Sequence, residues 1–277
     1  MRVSILIAAL AVLYGCSAPP SASVQGSRTS QASLGAKEAF LTLDPAGKNV
    51  PAKHYPSGKE LLAEVKLLGG VRGEYETDAA FHGRVSKLGN FSIGGEASDS
   101  EIEFDQVSGE FTLKVSLHDA VGFGLKVAPN RLREPVAIYP SFIVGEDAYT
   151  EGQYSGQNAF GATATITKRS IDRYYLVFSP VPKPPLNMLF FNVSAKLNIT
   201  ASEMKEQREN IRVLFKVMSV PNYLQITKNY QQPTITNPYE SVITNYFFSA
   251  KVFWVSVVNS KTGKVYAEEA KMGIKVL

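Results

Sequence analysis

Between Ser98 and Asp119 the chain reads SDSEIEFDQVSGEFTLKVSLHD. Apolar and polar residues alternate on both sides of Ser108-Gly109. A period of two places successive side chains on opposite faces of an extended strand. With a two-residue turn at Ser108-Gly109, Phe104 is expected opposite Leu113 and Ile102 opposite Val115. Glu103 then meets Lys114 and Glu101 meets Ser116. One face of the hairpin is apolar, and the other is polar with an opposite-charge pair. A chain that repeats this pattern along most of its length must build sheets with one face buried.

The same period is read from Phe81 onward. ATATITKRSIDRYYLVF (Ala162 to Phe178) is expected to form a second hairpin turning near Arg169 to Asp172, and MLFFNVSAKL and IRVLFKVM (Ile211 to Met218) read as apolar strands. NYFFSAKVFWVSVV (Asn245 to Val258) is apolar on both faces, which places it centrally in a sheet covered on each side. Two short helices interrupt the strands. Ser57 with Glu60 makes a capping box ahead of Leu61, Leu62, Val65 and Leu68, closed by Gly69-Gly70. Thr200 with Glu203 makes another over Thr200 to Asn210. The expected fold is mainly β: an antiparallel β-sandwich, or partly closed barrel-like sheets, with two short helices. The prolines of SPVPKPPLN (Ser179 to Asn187) lack amide donors, so this segment is a crossing between sheets or a boundary between two subdomains of a body spanning 37–277.

The start of the chain obeys other rules. Arg2 precedes an apolar run from Val3 to Leu13, too short for a bilayer span but suited to a secretory signal. The run ends in Leu13, Tyr14, Gly15 and Cys16, and Cys16 is the one cysteine of the chain. This stretch resembles the signal of bacterial lipoproteins, whose lipobox reads Leu, a small residue, Gly or Ala, then Cys. The resemblance covers about the first 16 residues. It implies a signal peptide over 1–15, cleavage between Gly15 and Cys16, and a diacylglycerol on the Cys16 thiol. It also implies a membrane partner through that lipid. Ser17 stands where an aspartate would signal retention at the inner membrane, so the resemblance further implies an outer-membrane protein facing the periplasm. Residues 16–36, rich in Ser, Ala, Gln and Gly, read as a flexible tether with a reach of about 25 Å.

The chain carries 29 Lys and Arg against 25 Asp and Glu, and removal of residues 1–15 takes away only Arg2. So small and evenly spread an excess gives no footprint for nucleic acid. His54, His82 and His118 lie far apart with no second ligand at metal spacing, and no cofactor is expected. Asp99, Glu101, Glu103 and Asp105 alternate along one strand, a solvated face that Lys114 partly neutralises. Ser202 to Lys205 and Lys261-Thr262-Gly263 look like the Ser-x-x-Lys and Lys-Thr-Gly elements of penicillin-binding proteins and serine β-lactamases. Here Ser202 opens a short polar helix, and VNSKTGKVY reads as a hairpin loop with Gly263 left-handed, so the acyl-enzyme reading is rejected. Glu146 to Ala164, Gly-rich and polar-aromatic, is either a binding loop or an ordinary connection whose Phe160 plugs the core. No catalytic, cofactor or metal residue is assigned. The expected function is an exported, lipid-anchored envelope protein that binds or scaffolds another envelope protein. A carrier of an apolar ligand, and a hydrolase whose residues converge only in the fold, stand as alternatives.

Overall fold

The computed structural model describes residues 38–41, 43, 45–97, 101–120, 139–178 and 189–276. The fold is mainly β, with two sheets around a main core and a small second cluster of Ala120, Val177 and Phe247. In chain order the first elements are β1 (Glu38–Leu41), β2 (Lys53–Tyr55), α1 (Gly58–Leu67), α2 (Asp78–Val85) and β3 (Asn90–Glu96). There follow β4 (Ile102–Asp105), β5 (Glu110–Ser116), β6 (His118–Asp119), β7 (Pro140–Gln157), β8 (Thr163–Phe178) and β9 (Leu189–Leu197). The chain then forms α3 (Ala201–Gln207), β10 (Ile211–Gln231), β11 (Tyr239–Asn259), β12 (Val265–Ala267) and β13 (Lys271–Val276). The smaller sheet runs β1-β13-β9-β5-β4 and the larger β2-β3-β10-β11-β8-β7-β6, with β12 paired to β11. Buried residues of both sheets, among them Leu113, Val193, Phe215 and Val255, belong to one cluster. The proline-rich segment 179–187 lies outside the described residues.

The larger sheet curls until β3 comes against β7. A Cβ on Gly95 would stand 2.3 Å from the Ile143 carbonyl oxygen and 2.4 Å from the Phe142 ring, so only glycine permits this approach. Inside the curl Phe215 meets Phe142 and Phe178, with ring centroids 4.9 and 5.2 Å apart. β11 lies between β10 and β8, the central place its two apolar faces predict. Its pairing with β8 is parallel.

The first hairpin keeps its predicted faces but not its register. Ile102 pairs with Leu113 and Phe104 with Phe111, a slip of two residues. Asp105 causes it. Its Oδ1 accepts from the Val107 amide at 2.8 Å, its carbonyl accepts from Gly109 at 2.8 Å, and Gly109 takes φ 69°. The resulting four-residue turn moves the strands by one full period, which conserves the faces. Lys114 still reaches Glu103 at 2.6 Å, now diagonally.

Three expectations are corrected. Ala162 to Phe178 is no hairpin: from Thr163 it is one strand paired along both edges, so the polar run Lys168 to Asp172 needs no turn to satisfy its backbone. Glu146 to Gln157 is likewise strand, and Gly145 and Gly152 serve register shifts in β7 rather than a loop. The connection shrinks to Asn158–Ala162, and Phe160, expected in the core, is 95% exposed at its tip. Lastly there is a third helix, α2, capped by Thr77, where period-two structure was expected to begin at Phe81. Phe81 and Val85, one helical turn apart, are its buried contacts.

Arg84 on α2 ties down the segment after α1. Its guanidinium bonds Glu76 at 2.6 and 2.7 Å, the carbonyls of Leu68, Gly70 and Val71, and the Tyr223 hydroxyl. Both side chains of the pair are 18% exposed. Arg84 holds the Glu76 carboxyl down to about 2.

Two outcomes are expected. Gly95→Ala should destabilise the fold by about 1–3 kcal/mol in urea denaturation, because neither backbone at the seam can retreat. Since the Glu76 pKa is depressed on folding, its contribution is complete above about pH 4.5 and fades as pH falls toward 2. Glu76→Gln should therefore be less stable at pH 7 and show a smaller stability loss between pH 5 and 2, read from thermal melts across that range.

Candidate functional site

Where β3 meets β7, the seam opens into a cleft of about 1260 Å³. Its walls come from the α1 start, the glycines of β3, the first half of β7 and the β11–β12 turn. The local sequence explains the opening. Gly94, Gly95 and Gly145 line it with bare backbone where the strands close on one another, and Ser57, the cap of α1, lies at its edge.

The parallel pairing of β2 and β3 sets His54 opposite Ser92. The His54 Nδ1 stands 3.1 Å from the Ser92 hydroxyl. Ser92 is buried while His54 is exposed. Across the next strand pair Arg212 stands opposite Glu96 and bonds it at 2.8 Å, and it also donates to the Glu209 carbonyl at 2.6 Å. On the β7 side the Tyr174 hydroxyl donates to Asp147 at 3.1 Å, with the Lys59 ammonium 3.7 Å from the same carboxylate. Burial first, and the Asp147 carboxylate second, push the Tyr174 phenol well above its ordinary value. Tyr174 is therefore a fixed hydrogen-bond donor at neutral pH and not a base. Ser57 spends its oxygen on the Glu60 amide, and Asn259 spends its Oδ1 on the amides of Lys261 and Thr262 at 2.9 Å each.

The cleft thus presents mixed charges, each held by a neighbour, on a glycine floor. His54 and Ser92 have the elements of a base and a nucleophile, but among the described residues no carboxylate bonds the His54 ring to orient it, as such a pair requires. No group of three His, Asp or Glu residues among those described is placed to hold a metal. The arrangement suits polar recognition.

Cys16 and Gly15, the predicted anchor and cleavage positions, lie outside the described residues, as does Asp99. Glu103 bonds Lys114, Asp105 builds its turn, and Glu101 lines the cleft. Of the histidines, the structure brings His54 and His118 to the same cleft and leaves His82 on α2. The Ser-x-x-Lys and Lys-Thr-Gly segments do meet, but through other residues: Lys264 bonds Glu203 at 2.7 Å and the Tyr266 hydroxyl donates to Glu203 at 3.3 Å. Ser202, Lys205 and Lys261 are exposed, and Gly263 takes the left-handed φ of 73° that a hairpin loop predicts. Nothing in Ser92, Glu96 and Arg212 themselves marks them as cleft residues. The one available signal was Gly94-Gly95, since paired glycines within a strand mark a close backbone approach. No protein-family model matches the chain, nor does any curated protein or solved structure.

An exposed Ser202 beside an exposed Lys205 has no dry cleft with fixed oxyanion donors in which a nucleophile could be held. The protein should take up no covalent label from a fluorescent penicillin. Label on the wild-type chain that disappears in Ser202→Ala would contradict this.

Proposed function

We propose that the chain is an exported, lipid-anchored envelope protein whose β body binds or scaffolds another envelope component and catalyses no reaction. The observation that carries the address is the continuous signal grammar from Arg2 to Cys16, with the only thiol of the chain at the acylation position. A body of this size has core enough to dispense with disulfides, which fits a lone cysteine used as an anchor. No helix among the described residues is long and apolar enough to cross a membrane. By this reading the lipid provides the membrane attachment, at the periplasmic face of the outer membrane.

The seam cleft supports the binding half of the proposal. Its polar groups are already engaged: Arg212 with Glu96, Asp147 with Tyr174 and Lys59, Ser57 with its helix. Prearranged and mutually compensated polar groups favour recognition of a polar surface or segment, since little ordering remains to be done on binding.

Cys16→Ser decides the anchor. The variant should accumulate as a larger precursor or appear as a soluble product, and should lose labelling by radioactive palmitate. If it matures to the wild-type mass and still incorporates acyl chains, the proposal fails.

A further inference from the structure

We propose that the face of the larger sheet turned away from the core holds a second binding site, which adjoins the seam cleft at His118, Ile143 and Glu146, for a neutral saccharide. The proposal does not depend on the lipid anchor.

Strand pairing lays down three rows of side chains across four strands on this face. The middle row runs Glu146, Arg173, Asn245 and Thr227. One period away on each side lie Ala148, Ile171, Ile243 and Asn229, and Ile143, Tyr175, Phe247 and Gln225. The neighbours Tyr174 and Leu176 turn inward to the core, so these residues turn outward. A polar stripe bordered by apolar rows results. Over it lies a cavity of about 570 Å³ lined by Arg173, Glu146, Asn229, Asn245, Ile243 and Phe247, together with His118, Ile143 and Tyr175. That volume is within the range of about 300–1,000 Å³ usual for small-molecule sites.

Two observations select the ligand. Asn245 is only 6% exposed, yet its Oδ1 has no hydrogen-bond partner, while its Nδ2 makes a long 3.3 Å bond to Thr227. Buried amide atoms without partners are rare because each forfeits its hydration. A slight turn of this loosely held amide would offer it to a donor in the cavity. The second observation is charge balance. Arg173 and Glu146 bond each other at 2.6 Å, leaving no excess charge for an ion to answer. The half-buried Tyr175 ring gives an apolar platform beside the stripe, backed by the buried Phe247 ring, whose centroid is 5.0 Å away. A sugar ring has this same division, with hydroxyl or acetamido groups at its edge for Asn245 and Asn229 and a C–H face for the platform. Its neutrality suits the internal ion pair.

The test is saturation-transfer NMR on the purified full-length protein with N,N′-diacetylchitobiose and with cellobiose. Transfer is expected from at least one disaccharide. Asn245→Leu removes the amide at nearly constant volume, and should weaken binding about tenfold while leaving the melting temperature unchanged or raised. Should that variant fail to fold, Asn229→Ala, at an exposed position, gives the same reading of binding. Transfer from neither disaccharide overturns the proposal. So does transfer that both variants leave unchanged, or a site that takes inositol hexakisphosphate in preference to both sugars.

Discussion

The approach of β3 to β7 is the constraint on which the rest of this structure depends. Two backbones that share no strand pairing come close enough that the Gly95 position has no room for a Cβ against the Ile143 carbonyl. With that contact the larger sheet bends over itself, and Phe142 from one rim can meet Phe215 inside, where Phe215 also meets Phe178. Without it the sheet would be open, and its inner face would need another layer to exclude water. The seam also creates the cleft. Glycine makes the approach possible, and the cleft lies along the rims that this approach brings together.

The long strands perform two tasks at once because of their period. Along β8, Tyr174, Leu176 and Phe178 are buried in the core, while Arg173 and Tyr175 face the other way. The inner set is aromatic and aliphatic; the outer set carries amides, an ion pair and a few rings. Changing an inner residue acts on stability; on the outer side Arg173 acts on the surface, while Val177 and Phe247 are buried in a small second cluster with Ala120. Two residues side by side in sequence can therefore be nearly independent in effect. Tyr174 is the exception, since its ring packs in the core while its hydroxyl reaches Asp147 in the cleft.

Local physics was legible in the sequence and long-range closure was not. Capping by Ser57 and Thr200 depends on residues three positions apart, and both caps form as their side chains dictate. The faces of the first hairpin follow from alternation alone. Its register does not, because Asp105 can replace a two-residue turn with a wider one and leave every face unchanged. The polar run Lys168 to Asp172 resembles a turn until β7 and β11 are known to flank it. Helix α2 is too short for its two apolar contacts to establish a period against surrounding strands. The cleft was hidden for the same reason as the seam: His54, Ser92, Glu96 and Arg212 become neighbours only through pairings between distant segments.

The parallel pairing of β8 with β11 bears on how the chain reaches this state. Thr167 must find Tyr239, and β9, α3 and β10 all lie between them in the chain. The hairpins β4–β5, β7–β8 and β10–β11 can each form from adjacent segments. Joining the second to the third requires a long loop to close before any contact rewards it. Assembly is thereby divided into fast local units and one slow docking step, during which the facing edges of β8 and β11 stand unpaired. In that interval the apolar edge of β11 is the part of the chain most exposed to wrong partners.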